Sequence, residues 1–335
     1  NITSPTTDEG FKAYVHDPDN PIYTIGGGNM IVQTPQGDRD CQGQFNLADP
    51  RYASYTMDRP GVLKFETRVL EDSISIVGHP RVKLYAKSNP GNEVSGVTNT
   101  EYYVRFLDVY PDGREFFVTE GGVGTVGREW ARSIAEGREN PDAPFSNIEI
   151  GKVYEYFYEC YPIGYTWGKG HKIKVLISSS NHPRYQSCPN LPLMPGEFFR
   201  RQPRDGKTYV YNGVEMSPRQ AVNRVGFSPA YPTQIILPVF GSTNILTPVK
   251  ENTFEENLDF DLYPNPAKDY INVYAGKVGK YQAVLLNALG QKLSTYTFED
   301  VLDISTRSLP VGQYLLEVTN LRNTQERVTK KISKI

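Results

Sequence analysis

The chain is 335 residues long, with 29 glycines, 25 prolines, 23 tyrosines and a formal net charge of −2. That length exceeds what one hydrophobic core usually organises, so two domains are expected. The near-neutral balance supplies no basic field for nucleic acid and no polybasic patch for a membrane surface, and no run approaches the roughly 18 apolar residues of a membrane span.

The start, Asn1-Ile-Thr-Ser-Pro, is turn-prone and has neither an initiator methionine nor a basic-apolar leader, so a processed product or excised fragment is expected. From Gly61 onward strand-like segments recur: Leu63 to Thr67, Ile74 to Gly78, Arg81 to Ala86 and Tyr102 to Tyr110, each closed by glycine, proline, asparagine or aspartate. Val82, Leu84 and Ala86 share one face, as do Ile173, Val175 and Ile177, and both segments read as half-buried strands. Tyr110-Pro-Asp-Gly113 reads as a hairpin turn, with proline fixing φ and glycine supplying a positive one. Arg128 to Glu139 is a helix candidate, with Trp130, Ala131, Ile134 and Ala135 at helical spacing. Before it, Gly122-Val-Gly-Thr-Val-Gly127 matches the dinucleotide-binding glycine pattern. It lacks the parallel βαβ setting and the acidic residue such a site needs, so a flexible loop is the stronger reading.

Further strands are expected at Val153 to Tyr161, Thr208 to Tyr211 and Thr233 to Val239, enough short strands for an all-β, two-sheet jelly roll. Past Gly241 the pattern loosens, and Glu251, Glu255, Glu256 and Asp259 crowd together. The domains are therefore drawn as 1–245, an acidic linker at 246–260, and 261–335. The last of these reads as a small β-meander with Gly290 as the positive-φ residue of a hairpin and Tyr314, Leu316 and Val318 on one face, an immunoglobulin-like sandwich by strand count.

Residues able to carry chemistry are few and scattered. Cys41, Cys160 and Cys188 form no Cys-x-x-Cys pair; three buried thiols are favoured over one long-range disulfide with a leftover thiol. Asp17 with Asp19, or Asp38 with Asp40, has the composition of a calcium loop, against the blander reading of solvated turn aspartates. His16 reads as part of a proline-rich turn, His79 as a strand junction, His171 as a hairpin-like turn and His182 as part of a serine-rich loop; none has zinc-binding spacing. No catalytic residue, metal site or cofactor is assigned. Tyr154, Tyr156, Tyr158, Tyr161 and Trp167 leave open an alternative reading as a surface carbohydrate- or protein-binding jelly-roll module.

Residues 11 to 240 resemble a known domain. Tyr14-Val-His-Asp-Pro-Asp-Asn-Pro followed by Gly26-Gly-Gly, Leu107-Asp-Val-Tyr-Pro-Asp-Gly-Arg114, Gly168-Lys-Gly-His-Lys-Ile-Lys174 and Ser178-Ser-Ser-Asn-His-Pro-Arg-Tyr185 resemble, in order and spacing, the C-terminal domain of Xaa-Pro dipeptidyl-peptidases and of cocaine esterase and acylase hydrolases. The resemblance implies a galactose-binding-like jelly roll that packs on an α/β-hydrolase domain of the same parent protein and helps wall the substrate cleft. It makes Asn181, His182, Arg184 and Tyr185 candidates for an interdomain or cleft-facing loop. The family's serine elbow belongs to the hydrolase domain, and this chain contains no Gly-x-Ser-x-Gly and no alternating βα pattern.

The tail resembles the C-terminal sorting domain of type IX secretion cargo, on Pro264-Asn265-Pro266, Asn287 with Gly290-Gln291, the Leu309 to Tyr314 segment including Gly312, and the basic end Lys330-Lys331 with Lys334. What that implies is export through the periplasm to the surface or medium, with the outer-membrane machinery and a sortase as partners and cleavage in the linker.

Overall fold

The computed structural model describes residues 10–26, 31–33, 39–41, 45–90, 95–194, 197, 209–241, 260–263, 265–275, 280–288, 290–299, 301–321 and 327–335. Two compact units emerge, whose long segments are Tyr14–Asn252 and Thr253–Ile335. Residues 246–259 of the stretch expected to be an acidic linker, with Asp38 and Pro264, lie outside the described residues, while its last residue, Phe260, opens a strand of the smaller unit.

The larger unit is an antiparallel sandwich. One sheet has the order Phe11–His16, Ala221–Ser228, Arg81–Asn89, Tyr154–Glu159, with short strands Tyr231–Pro232 and Gln234–Ile236 added at its side; the other has the order Val62–Glu66, Lys172–Ser178, Glu101–Val109, Glu115–Gly124. Val82, Leu84 and Ala86 meet Val104, Phe106, Ile173, Ile177 and Trp167 in the core between the sheets. The alternation in Arg81–Asn89 is the half-buried pattern expected of it.

Lys172–Ser178 departs from that expectation, because Leu176 on its other face is buried as well. The reason is a third layer. Ile22, Phe45, Leu47 and the short helix Pro50–Thr56, capped by the Asp49 side chain, cover the back of this sheet against Leu107, Leu176 and Val62. Polar side chains on that face are therefore buried, and they define the site below.

The Tyr110 to Gly113 turn closes the hairpin between Glu101–Val109 and Glu115–Gly124 as expected, with Gly113 at φ +86°. The expected helix forms from Arg128 but ends at Ala135 rather than Glu139. The glycine-rich segment is not a flexible loop: Gly122 and Gly124 sit in an antiparallel strand, followed by a 3-10 turn at Thr125–Gly127. A Cβ on Gly122 would come within 2.4 Å of the Tyr103 ring, so the glycine is there to let a neighbour in.

The smaller unit also has two antiparallel sheets, Phe260–Tyr263, Tyr270–Ala275, Val301–Ser305 against Lys292–Phe298, Tyr281–Asn287, Gly312–Asn320, Arg327–Lys334. Phe260, Ile271, Val273, Tyr281, Leu285, Leu316, Val318 and Ile332 fill the space between them. This is the immunoglobulin-like arrangement that the strand count implied.

Candidate functional site

Ser178 to Asn181 leave the central strand and are tied down at each step. Tyr14 Oη and Ser179 Oγ lie 2.7 Å apart, Asn223 Nδ2 donates to Ser179 Oγ, and Ser180 Oγ accepts from the Ile22 amide at 2.8 Å. His182 then joins residues 22–24 as a strand would: its amide donates to Ile22 O at 2.9 Å and its carbonyl accepts from the Thr24 amide at 2.6 Å. The His182-Pro183 peptide is cis.

The expected loop residues Asn181, Arg184 and Tyr185 converge on two residues that sequence reading passed over, Arg105 and Glu120. These stand directly opposite each other on adjacent strands, 2% and 1% exposed. Asn181 Nδ2 donates to Glu120 Oε2 at 2.7 Å, while its Oδ1 accepts from Arg105 Nη2 and Thr24 Oγ1. Arg184 Nη1 reaches Glu120 Oε1 at 2.6 Å, and Arg105 Nε lies 3.5 Å from Oε2. Burial pulls the Arg105 guanidinium below its ordinary value, with Glu120 opposing. Arg184 is shifted upward: burial works against its charge, but Glu120 and the neighbouring tyrosines outweigh it. Two guanidinium groups thus share one buried carboxylate, and the neutral Asn181 amide bridges Arg105 to Glu120. The missed signal was a charge inside an apolar strand, Tyr102-Tyr-Val-Arg-Phe-Leu.

Above this network the surface is aromatic. Arg184 lies 5.0 Å from the Tyr161 ring centroid and 5.7 Å from that of Tyr185, the two tyrosine hydroxyls are 2.6 Å apart, and Tyr185 stacks on Tyr103. His182 meets the edge of Tyr23, which in turn meets Tyr55. Tyr55 and Tyr161 are about half exposed, at 54% and 48%. Of the aromatics offered for a carbohydrate platform, Tyr156, Tyr158 and Trp167 are core residues.

The other histidines brace structure. His171 Nδ1 donates to Asp108 Oδ1 at 2.8 Å, Tyr165 donates to Asp108 Oδ2, and the His171 ring packs on Gly168, where a Cβ would come within 3.0 Å of Nε2. His16 is not in a turn but ends the strand Phe11–His16, buried, with Nε2 donating to Cys188 O. His79 Nδ1 bonds Cys160 O. Cys160 and Cys188 are buried free thiols, which removes the disulfide alternative for that pair. Asp17 accepts from the Asp19 amide and from Gln220, and among the described residues no cluster has metal-binding geometry.

In the smaller unit the expected signal residues are also assembled. Asn265, followed by a cis peptide to Pro266, donates through Nδ2 to Lys331 O at 2.8 Å and accepts from the Ser333 amide at 2.9 Å. Gly290 has φ +77°, and Asn287 and Gln291 exchange hydrogen bonds across the turn it makes. Gly312 pairs with Lys334, Tyr314 Oη donates to Pro310 O at 2.8 Å, and Lys330 lies 5.1 Å from the Phe260 ring centroid.

Residues 2–236 match the family of X-Pro dipeptidyl-peptidase C-terminal non-catalytic domains, and residues 261–334 match the secretion system C-terminal sorting domain. The second match marks type IX cargo, carried to the cell surface or released. Cocaine esterase of Rhodococcus sp. (strain MB1 Bresler) is 28% identical over 237 residues, which are 71% of this chain and 33% of that protein. Among solved structures, an α-amino acid ester hydrolase aligns at 23% identity and TM-score 0.45 over 69% of this chain and 33% of its own. An aminopeptidase from the marine sediment archaeon Thaumarchaeota archaeon aligns at 21% and 0.48 over 71% and 34%. The chain spans about a third of the length of the curated relative it matches.

Proposed function

We propose, for a chain that belongs to the family of X-Pro dipeptidyl-peptidase C-terminal non-catalytic domains, that its larger unit supports the substrate cleft of a serine hydrolase domain in the same parent protein. The parent is a dipeptidyl-peptidase, acylase or esterase of the α/β-hydrolase type. The smaller unit carries the export signal, engages the outer-membrane secretion apparatus and gives a sortase its substrate for surface attachment.

The observation that carries the cleft role is the anchoring of the loop Asn181 to Tyr185. Burying Arg105 and Glu120 together is costly, and a polar network of that kind fixes one geometry more than it adds stability. What it fixes is a half-exposed aromatic surface made of Tyr23, Tyr55, Tyr161, Tyr185 and His182, suited to hold a neighbouring domain or one wall of a cleft.

The purified 335-residue chain is expected to leave Xaa-Pro amides and simple esters intact. Hydrolysis of either, abolished by a serine-directed inhibitor, contradicts the proposal. For the export role, deletion of residues 261–335 in a type IX secreting host is expected to strand the protein in the periplasm, and normal surface display of that variant contradicts it.

A further inference from the structure

The two ends of the smaller unit form one surface. The side chain of Asn265 takes the Lys331 carbonyl and the Ser333 amide, the Ala267 amide donates to Ser333 O at 2.7 Å, and the Ile335 amide donates to Ala267 O at 2.9 Å. Arg327–Lys334 is the outermost strand of its sheet, paired on its inner side with Gly312–Asn320. Residues 265–267 therefore close the outer edge of its last turn of pairing, where an unprotected strand would offer free backbone groups.

The charge on that strand is one-signed: it carries Arg327, Lys330, Lys331 and Lys334 and no acidic residue. Successive side chains of a strand point to opposite faces. Val328 and Ile332 face the core, so Lys330 and Lys334 leave on that side, while Lys331 leaves on the other with Ser333, which bonds Gln313. No partner resting on one face of the sheet meets both Lys330 and Lys331. A partner that meets both arrives at the strand edge, and there it also meets the exposed Asn265 and Pro266.

The geometry points to a composite export signal, resting on the sorting-domain reading above: Asn265 is a positioning residue that clasps the terminal strand, and an acidic protein face of the secretion apparatus binds the clasped edge through Lys331 and its basic neighbours.

The test is surface display of the full chain in a type IX secreting host, with thermal unfolding of each purified variant alongside. Asn265→Ala is expected to lower display by about tenfold, and Lys331→Glu to do the same with an unchanged melting temperature, since Lys331 is exposed; Lys331→Arg restores display. Asn265→Asp keeps the acceptor for the Ser333 amide, loses the donor to Lys331 O and adds a negative charge facing the acidic partner, so it is expected to be displayed no better than Asn265→Ala. Wild-type display of Lys331→Glu, or better display of Asn265→Asp than of Asn265→Ala, overturns the proposal while deletion of 261–335 still blocks export. Normal display of the deletion variant removes the sorting reading, and this proposal with it.

Discussion

Arg105 faces Glu120 across two adjacent strands with both side chains out of solvent, and Asn181, from a loop 76 residues along from Arg105, completes the pair. Removing Glu120 leaves the Arg105 charge buried without its carboxylate, a loss of about 3–5 kcal/mol. Glu120→Gln is expected to destabilise the larger unit by that order, and Arg105→Met by less, because Glu120 keeps Arg184 and Asn181. Combining Arg105→Met with Glu120→Gln should recover part of the Glu120 loss, because the buried Arg105 charge goes together with its partner while Arg184 still gives up the carboxylate it shared. Urea unfolding of the two single variants and the double variant measures the coupling, and strictly additive losses contradict the arrangement.

His16 makes stability depend on pH. Burial lowers its pKa from 6.5 to about 4, against the favourable hydrogen bond to Cys188 O and the nearby Asp17. The unfolded chain therefore binds a proton at this site between pH 6.5 and 4 while the folded one does not. The contribution is fully present above pH 6.5 and is lost as pH falls toward 4, on the order of 3 kcal/mol. Glu101 acts in the opposite sense: burial pushes its carboxyl up to about 7, against the hydrogen bond from Tyr103, so its protonation stabilises the fold as pH falls from 7 to 4.5. The readout is thus the difference between wild type and His16→Gln across pH 4 to 7, in which the wild type alone carries the His16 slope. Parallel curves for the two proteins contradict a buried neutral histidine.

The strands were legible because their signals are local: alternation in Arg81–Asn89, and a Pro-Asp-Gly turn closing a hairpin. The loop Asn181 to Tyr185 was legible through its motif. Arg105 and Glu120 were not, since their pairing depends on strand register and on a covering layer made by Ile22, Phe45, Leu47, Ala53 and Met57, and neither leaves a trace at short range. His16 was misplaced for a similar reason: Asp17-Pro18 after it reads as a turn, but the residue itself belongs to the preceding strand. Asp108 and His171 belong to motifs noticed separately, and the structure joins them by a hydrogen bond that spans 63 residues.

The glycines between 121 and 124 separate packing from ligand binding. A Cβ at Gly122 would lie 2.4 Å from a Tyr103 ring carbon, and one at Gly121 would lie 2.6 Å from the Cys160 Cα, whereas one at Gly124 meets nothing within 4 Å. Gly121→Ala and Gly122→Ala are expected to destabilise by about 2 kcal/mol or more through overpacking. Gly124→Ala, at φ −75°, should stay within about 0.5 kcal/mol of wild type. Melting temperatures of the three variants decide the matter. A loss at Gly124 as large as that at Gly122 contradicts the packing explanation.

Tyr314 gives the smaller unit a lock of its own. Its ring is buried at the start of Gly312–Asn320, and its hydroxyl reaches back four residues to the Pro310 carbonyl at 2.8 Å, the corner device of immunoglobulin-like sandwiches. Tyr314→Phe keeps the packed ring and removes only the hydrogen bond, so a loss of about 1 kcal/mol is expected; Tyr314→Ala also opens a cavity and should cost about 3–5 kcal/mol. Because Tyr314 pairs with Ile332 on the terminal strand, the larger loss also frees the edge that Asn265 clasps. Hydrogen exchange at the Ser333 amide follows both effects. Protection there is expected to survive Tyr314→Phe and to fall sharply in Tyr314→Ala, and equal protection in the two variants contradicts the coupling between the corner and the strand.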